Sequence, residues 1–226
     1  MRLVIKYGGT SISAAKDIQA VAKHLNELSK KNQIVVVCSA TSGTTDDLIE
    51  ISESIKKENK SKAEQLASKI TNRHKQLAKQ TIKKSDIRKK LLSKFDEDFD
   101  ELVALIDGMV LLGEVTPRTM HYLFSFGERL SIKLVSSAIS DSGKKSVPLT
   151  GKEVGIVTDS NFGESKPLID TTRLRVSKTV DALFLKKTIP VIGGFAGSDQ
   201  HGHVTTFGRG GSDSVSYTHL RAHETD

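Results

Sequence analysis

The run Gln33–Ala40, QIVVVCSA, is apolar over five consecutive residues, too short for a helix of ordinary length and too uniformly apolar for a strand with one wet face. Such a run fits a strand covered on both sides, the condition met in a parallel sheet flanked by helices. The residues before it agree. LVIKYGG begins with a β-rich run and stops on paired glycines, and Thr10, Ser11 and Ser13 offer caps for a helix beginning near Thr10. Ile18, Val21, Ala22, Leu25 and Leu28 then recur at helical spacing. Strand, glycine loop, helix, strand is the opening unit, and a right-handed crossover is expected for it. IPVIGGF at 189–195 repeats the logic of an apolar strand that ends on two glycines.

Between and after these strands the chain reads as follows. Residues 45–94 are helical and highly charged, without proline, and 95–112 continue with Leu102, Leu105, Ile106 and Val110 at amphipathic spacing. After Pro117 a helix carries Leu130, Leu134 and Ile139 inward and ends near Gly143. KKSVPL is a short strand, GIVTDSNFGESKP a loop, 172–185 a helix, and HVTTFG a second short strand. The expected fold class is a three-layer αβα sandwich on a mainly parallel sheet, with a helical insertion at 45–112.

Composition narrows the function classes. Among 226 residues 37% are hydrophobic, no stretch approaches the roughly 18 apolar residues of a membrane span, and the amino terminus enters a strand directly with no signal-peptide core. The one cysteine, Cys38, sits in a strand and reads as a buried thiol, consistent with a cytoplasmic protein. The net charge of +7 arises largely from lysines in 56–94 that alternate with acidic and amide residues, without the aromatic interleaving of single-stranded nucleic-acid sites. No nucleic-acid or membrane partner is expected.

Four loops share a chemistry. In KYGGTS, Lys6 is a mobile cation at a strand end, while Gly8 and Gly9 let backbone N–H groups approach an anion; the same residues also fit a structural turn with a surface lysine. SATSGTTDD offers five hydroxyls just past a buried strand, among them Ser39, Thr44 and Thr45, where α/β sheets bind ligands; an ordinary helix start capped by Thr45 or Asp46 is the plain alternative. SFGERLS places Glu128 and Arg129 on a helix, with Glu128 as an ammonium acceptor or a surface carboxylate. TTFGRGGSD, 205–213, exposes backbone donors at Gly208, Gly210 and Gly211 beside the planar fork of Arg209 and the acid Asp213. Neither the P-loop pattern nor a dinucleotide fingerprint accounts for these glycines. A phosphate cradle, a carboxylate fork and an ammonium acceptor together point to phosphoryl transfer onto an amino acid, a reaction that asks chiefly for charge neutralisation and alignment.

KYGGTS, VVVCSATSGTTDDL, SFGERLS, GIVTDSNFG, IPVIGGFAG and TTFGRGGSD, in this order and spacing, resemble aspartate kinase of the amino acid kinase superfamily, the archaeal type in particular, from Leu3 to Asp213. Phe207 stands where that family usually has leucine. The resemblance implies ATP-dependent phosphorylation of the β-carboxylate of L-aspartate to 4-phospho-L-aspartate, the first step towards lysine, threonine and methionine. It implies Lys6 and Asp213 as catalytic residues, and Ser39, Thr45, Glu128, Arg209 and Ser212 as substrate-binding. Lys6, Gly8, Gly9, Thr10, Gly210 and Gly211 would line the phosphate path. ATP would enter with Mg²⁺ as a substrate complex, with no resident metal or tightly bound cofactor, and the full-length protein would be a homo-oligomer. Rival readings are another amino acid kinase, or a non-catalytic aspartate- or phosphate-binding remnant. The expected domain plan is an aspartate-binding part over 1–213 and a tail outside the family pattern over 214–226. Without the nucleotide-binding half and ACT domains of the family, weak ATP affinity, little activity and no feedback inhibition are expected of this chain alone.

Overall fold

A computed structural model describes residues 1–162 and 165–207. Strand β1 (Arg2–Tyr7) leads through a 3₁₀ turn (Gly9–Ile12) to helix α1 (Ala15–Leu28) and strand β2 (Gln33–Cys38). Four helices follow: α2 (Thr44–Lys56), α3 (Lys60–Thr81), α4 (Ser85–Leu112) and α5 (Pro117–Asp141). Then come β3 (Ser146–Leu149), α6 (Gly151–Val154), α7 (Ile169–Leu185), β4 (Ile189–Gly193), β5 (Ala196–Ser198) and β6 (Val204–Thr206). Among the described residues the main sheet has the order β1-β2-β4-β3 with every pair parallel, and β5 and β6 form a separate antiparallel hairpin.

Two cores explain the uniformly apolar run. Along β2, Ile34, Val36 and Cys38 face the larger core built with α1 to α5, whereas Val35 and Val37 face a smaller one with Val154, Ile156, Val176, Val180 and Ile192. Period-two alternation sends every second side chain to the opposite face, so a strand buried on both faces must be apolar throughout. Each fully buried aliphatic side chain here contributes roughly 1.5–3 kcal/mol. Helices on both faces of one parallel sheet make the three-layer αβα architecture. Phe207, the departure from leucine noted above, is 4% exposed in the smaller core, and its N–H bonds Phe195 O at 2.8 Å. Among the described residues no helix is long and apolar enough to cross a membrane.

Three local expectations are corrected. The helix expected near Thr10 is a short 3₁₀ turn, and α1 starts at Ala15 with Ala14 at its N-cap. Ser13 is not a cap because its hydroxyl bonds Gly9 O and accepts the Ser42 N–H at 2.8 Å. The N-cap of α2 is Gly43, at φ 74°, rather than Thr45 or Asp46. Helix α7 begins at Ile169, not Thr172, whose hydroxyl is buried between the N–H and carbonyl of Val157 at 3.0 Å each.

Candidate active site

The carboxyl ends of β1, β2 and β4 bring the first three loops together. Gly9 passes so close to the loop after β2 that a Cβ there would stand 2.5 Å from Ala40 O, which is why the residue is glycine. Ser39 N–H bonds Tyr7 O at 3.1 Å and Ser42 N–H bonds Ser13, so the two loops are stitched side by side. Ser39 and Gly9 are half-buried, while Gly8, Thr10 and Thr45 are exposed, with Thr45 in the first turn of α2.

Glu128 enters from α5. Its side chain is 5% exposed, its Oε2 accepts the Phe195 N–H at 2.8 Å, and the Gly194 N–H also bonds it. Gly193, the last residue of β4, has no room for a side chain, because a Cβ would lie 2.8 Å from Glu128 Oε2. The glycine that ends this strand therefore serves to admit a carboxyl. Burial pushes Glu128 up to about 8, against the opposing pull of the two backbone donors and of Lys6, the half-buried cation at the end of β1. Cys38, fully buried, has its thiol pushed up by burial and by the charge of Glu128. It is no nucleophile.

Arg129, one residue on and so about 100° round the helix, faces α4 instead. It pairs with Asp98 at 2.7 Å and with Glu101, and its guanidinium lies 4.3 Å from the centre of the Phe126 ring. Its role is to hold α5 to α4. A cleft of ≈ 910 Å³ opens from Glu128 and Gly193 between α5, α6 and the β5–β6 hairpin, lined also by Arg118, Ser125, Lys152 and His203; Lys6, Ser39 and Thr45 do not line it.

Two polar centres were not anticipated from the sequence. His121, whose imidazole burial pushes down, accepts the Thr206 N–H on Nδ1 at 2.9 Å and so anchors the strand that precedes the fourth loop. Asp199 accepts from the N–H groups of His201 and His203, from His203 Nδ1 and from Ser160. Burial pushes Asp199 up, but these donors outweigh it and hold the carboxyl at about 2. The D-x-H-x-H spacing was the available signal. Among the described residues no group of three or more His, Cys, Asp or Glu is placed to hold a metal ion. Gly208, Arg209, Gly210, Gly211, Ser212 and Asp213 lie outside the described residues, as does the tail at 214–226.

Known proteins share this plan. The model of the amino acid kinase family matches residues 1–218. Aspartokinase of Geobacillus stearothermophilus is 30% identical over 215 residues, covering 94% of this chain and 38% of that protein. Aspartokinase 1, chloroplastic, of Arabidopsis thaliana is 30% identical over 219 residues, covering 95% and 37%. The chain thus spans under two fifths of the length of these relatives. E. coli aspartokinase III, solved in complex with aspartate and ADP, superposes with a TM-score of 0.78 at 22% identity over 95% of this chain and 44% of that one, and shares its fold. On this match the chain belongs to the amino acid kinase family.

Proposed function

We propose that this chain binds L-aspartate at the carboxyl edge of its sheet and takes part in ATP-dependent phosphorylation of the β-carboxylate, giving 4-phospho-L-aspartate, the entry to lysine, threonine and methionine synthesis. The observation that carries this reading is a buried carboxyl, Glu128, within the field of Lys6 where two glycine-bearing strand ends converge. It is supported by the aspartokinase relatives, and by the aspartate and ADP bound to the E. coli protein of like fold.

In this reading a β-carboxylate oxygen attacks the γ-phosphorus of MgATP, the bond to the bridging oxygen of ADP breaks, and no proton need be transferred. The transition state spreads negative charge over the phosphoryl oxygens, so catalysis rests on donors already in place. Lys6 supplies a cation there, and the backbone of Gly8, Gly9 and Thr10 lines the phosphate path. Ser39 and Thr45 hold the amino acid, and ionised Glu128 receives its ammonium group. Arg209 and Ser212 grip a carboxylate, Gly210 and Gly211 approach the phosphates, and Asp213 orients Lys6. Mg²⁺ enters with ATP, held mainly by phosphate oxygens and water. A cytosolic protein, homo-oligomeric when full length, is the setting this chemistry fits.

The test is trapping of the acyl phosphate with hydroxylamine, using L-aspartate, L-glutamate, N-acetyl-L-glutamate and carbamate as acceptors with MgATP. Aspartate-dependent hydroxamate that disappears in Lys6→Ala supports the proposal. Preference for another acceptor points to a different member of the family, and aspartate binding without hydroxamate to a binding unit alone.

A further inference from the structure

The loop between β2 and α2 is held from behind by α3, through hydrogen bonds whose direction is fixed at every link. His74 is fully buried, with Nδ1 2.8 Å from Ile70 O and Nε2 3.1 Å from Thr41 Oγ1. A carbonyl can only accept, so Nδ1 carries the proton and Nε2 is the acceptor. Burial pushes this imidazole down to about 4, so it is neutral near pH 7. Thr41 thus gives its single hydroxyl proton to His74 and must accept from Thr44, whose Oγ1 lies 2.7 Å away. Thr44, its proton committed, receives Arg73 Nη2 at 3.0 Å. One polarised chain therefore runs from Arg73 through Thr44 and Thr41 to His74 and the α3 backbone.

Arg73 is fixed in turn. Its Nη2 lies 2.8 Å from Oδ2 of the buried Asp47, whose Oδ1 accepts from Lys69 at 2.8 Å. The Arg73–Asp47 contact is an ion pair in which no N–H points along the line of centres, so Asp47 Oδ2 and Arg73 Nε make no hydrogen bond of their own. Nη1 of the same guanidinium stands 3.6 Å from where a Cβ of Gly43 would be. A loop so rich in hydroxyls has many ways to bond itself, and a buried chain of fixed polarity selects one of them. The ring also packs edge-on against Phe95 at 6.0 Å, a contact that asks only for an apolar surface. The imidazole adds direction rather than volume.

We infer that Arg73 and His74, both on α3, are positioning residues for the substrate loop: through Thr44 and Thr41 they set the places of Ser39 and Thr45 without touching the reactants. The functional half of this inference rests on the aspartate-binding reading above. It gives the helical segment after β2 a part in the chemistry, by way of the loop it backs.

Two measurements on the full chain decide the matter, each comparing the natural protein with His74→Leu, which leaves Thr41 without an acceptor, and His74→Gln, whose carbonyl can replace Nε2. Amide hydrogen exchange at 41–45 is expected to quicken about tenfold or more in His74→Leu, to stay unchanged at Ile34–Val37 of β2, and to recover in His74→Gln. L-aspartate affinity, measured by calorimetry, is expected to fall about tenfold or more in folded His74→Leu and to recover with Gln. Arg73→Met opens the chain from its other end, should show the same pattern, and serves if His74→Leu does not fold. Unchanged exchange at 41–45, or a rise shared equally by β2, overturns the inference. So does undiminished aspartate affinity in a variant whose loop has loosened. If the loop behaves as stated but the natural chain binds no aspartate, the functional reading fails and the loop-holding role stands.

Discussion

Glu128 offers the sharpest prediction. With its carboxyl pushed up to about 8, roughly nine molecules in ten hold it protonated at pH 7, and a neutral acid is a poor partner for an ammonium group. Binding of L-aspartate must therefore expel that proton. Calorimetry at pH 7 in two buffers of different ionisation heat should show close to one proton released per aspartate bound. Affinity should rise about tenfold per pH unit from pH 6 and level off above pH 8. Glu128→Gln should abolish both the proton release and the slope, and bind aspartate more weakly throughout. The sign for stability follows from the same shift. An acid whose folded-state value lies above its ordinary 4.5 favours the fold below pH 4.5, and loses that contribution as pH rises to about 8. Over that interval the loss is at most about 5 kcal/mol. Urea unfolding should accordingly show Glu128→Gln gaining on the natural protein between pH 5 and pH 8. No proton release, or a pH slope that persists in Glu128→Gln, would mean that Glu128 does not receive the ammonium group.

Other consequences can be checked separately. Asp98, 2% exposed, holds both Arg129 at 2.7 Å and Lys133 at 2.5 Å, so Asp98→Ala strands two cations between α4 and α5 and should cost about 3–5 kcal/mol in urea unfolding. Gly9→Ala places a methyl against the backbone carbonyl of Ala40; it should cost about 1–3 kcal/mol and weaken aspartate binding, because the two loops must part. The buried Cys38 thiol should react with a disulfide reagent only as fast as the protein unfolds, and labelling of the folded chain within seconds would contradict its placement.

What could be read from the chain was what depends on neighbours in sequence. The apolar runs of β2 and β4 betray burial on both faces, and the helical spacing of Ile18, Ala22 and Leu25 marks their buried face. The glycine loops announced a site, but the reason for each glycine was not local. Gly9 yields to Ala40 and Gly193 to Glu128, 65 positions away in the chain, and only the fold sets such distances. The start of α1 is hidden for a similar cause, since Ser13 is engaged by Ser42 of the next loop. The roles of His121 and Asp199 are not legible in the sequence, because His121 bonds a residue 85 positions away and Asp199 sits in the turn after Ala196–Ser198, a strand too short to give a signal. The helix α6, with its Thr150–Glu153 capping box, is legible as T-x-x-E in the stretch between the KKSVPL strand and the GIVTDSNFGESKP loop.

Aspartate binding at the carboxyl edge of the sheet is tested by titrating the ¹⁵N-labelled chain with L-aspartate and following backbone amides. Saturable shifts are expected, grouped at Gly8–Thr10, Ser39–Thr45 and Gly194–Phe195, with D-aspartate and L-glutamate producing weaker ones. Shifts confined to the cleft beside Arg118 and Lys152, or none at millimolar aspartate, would contradict it.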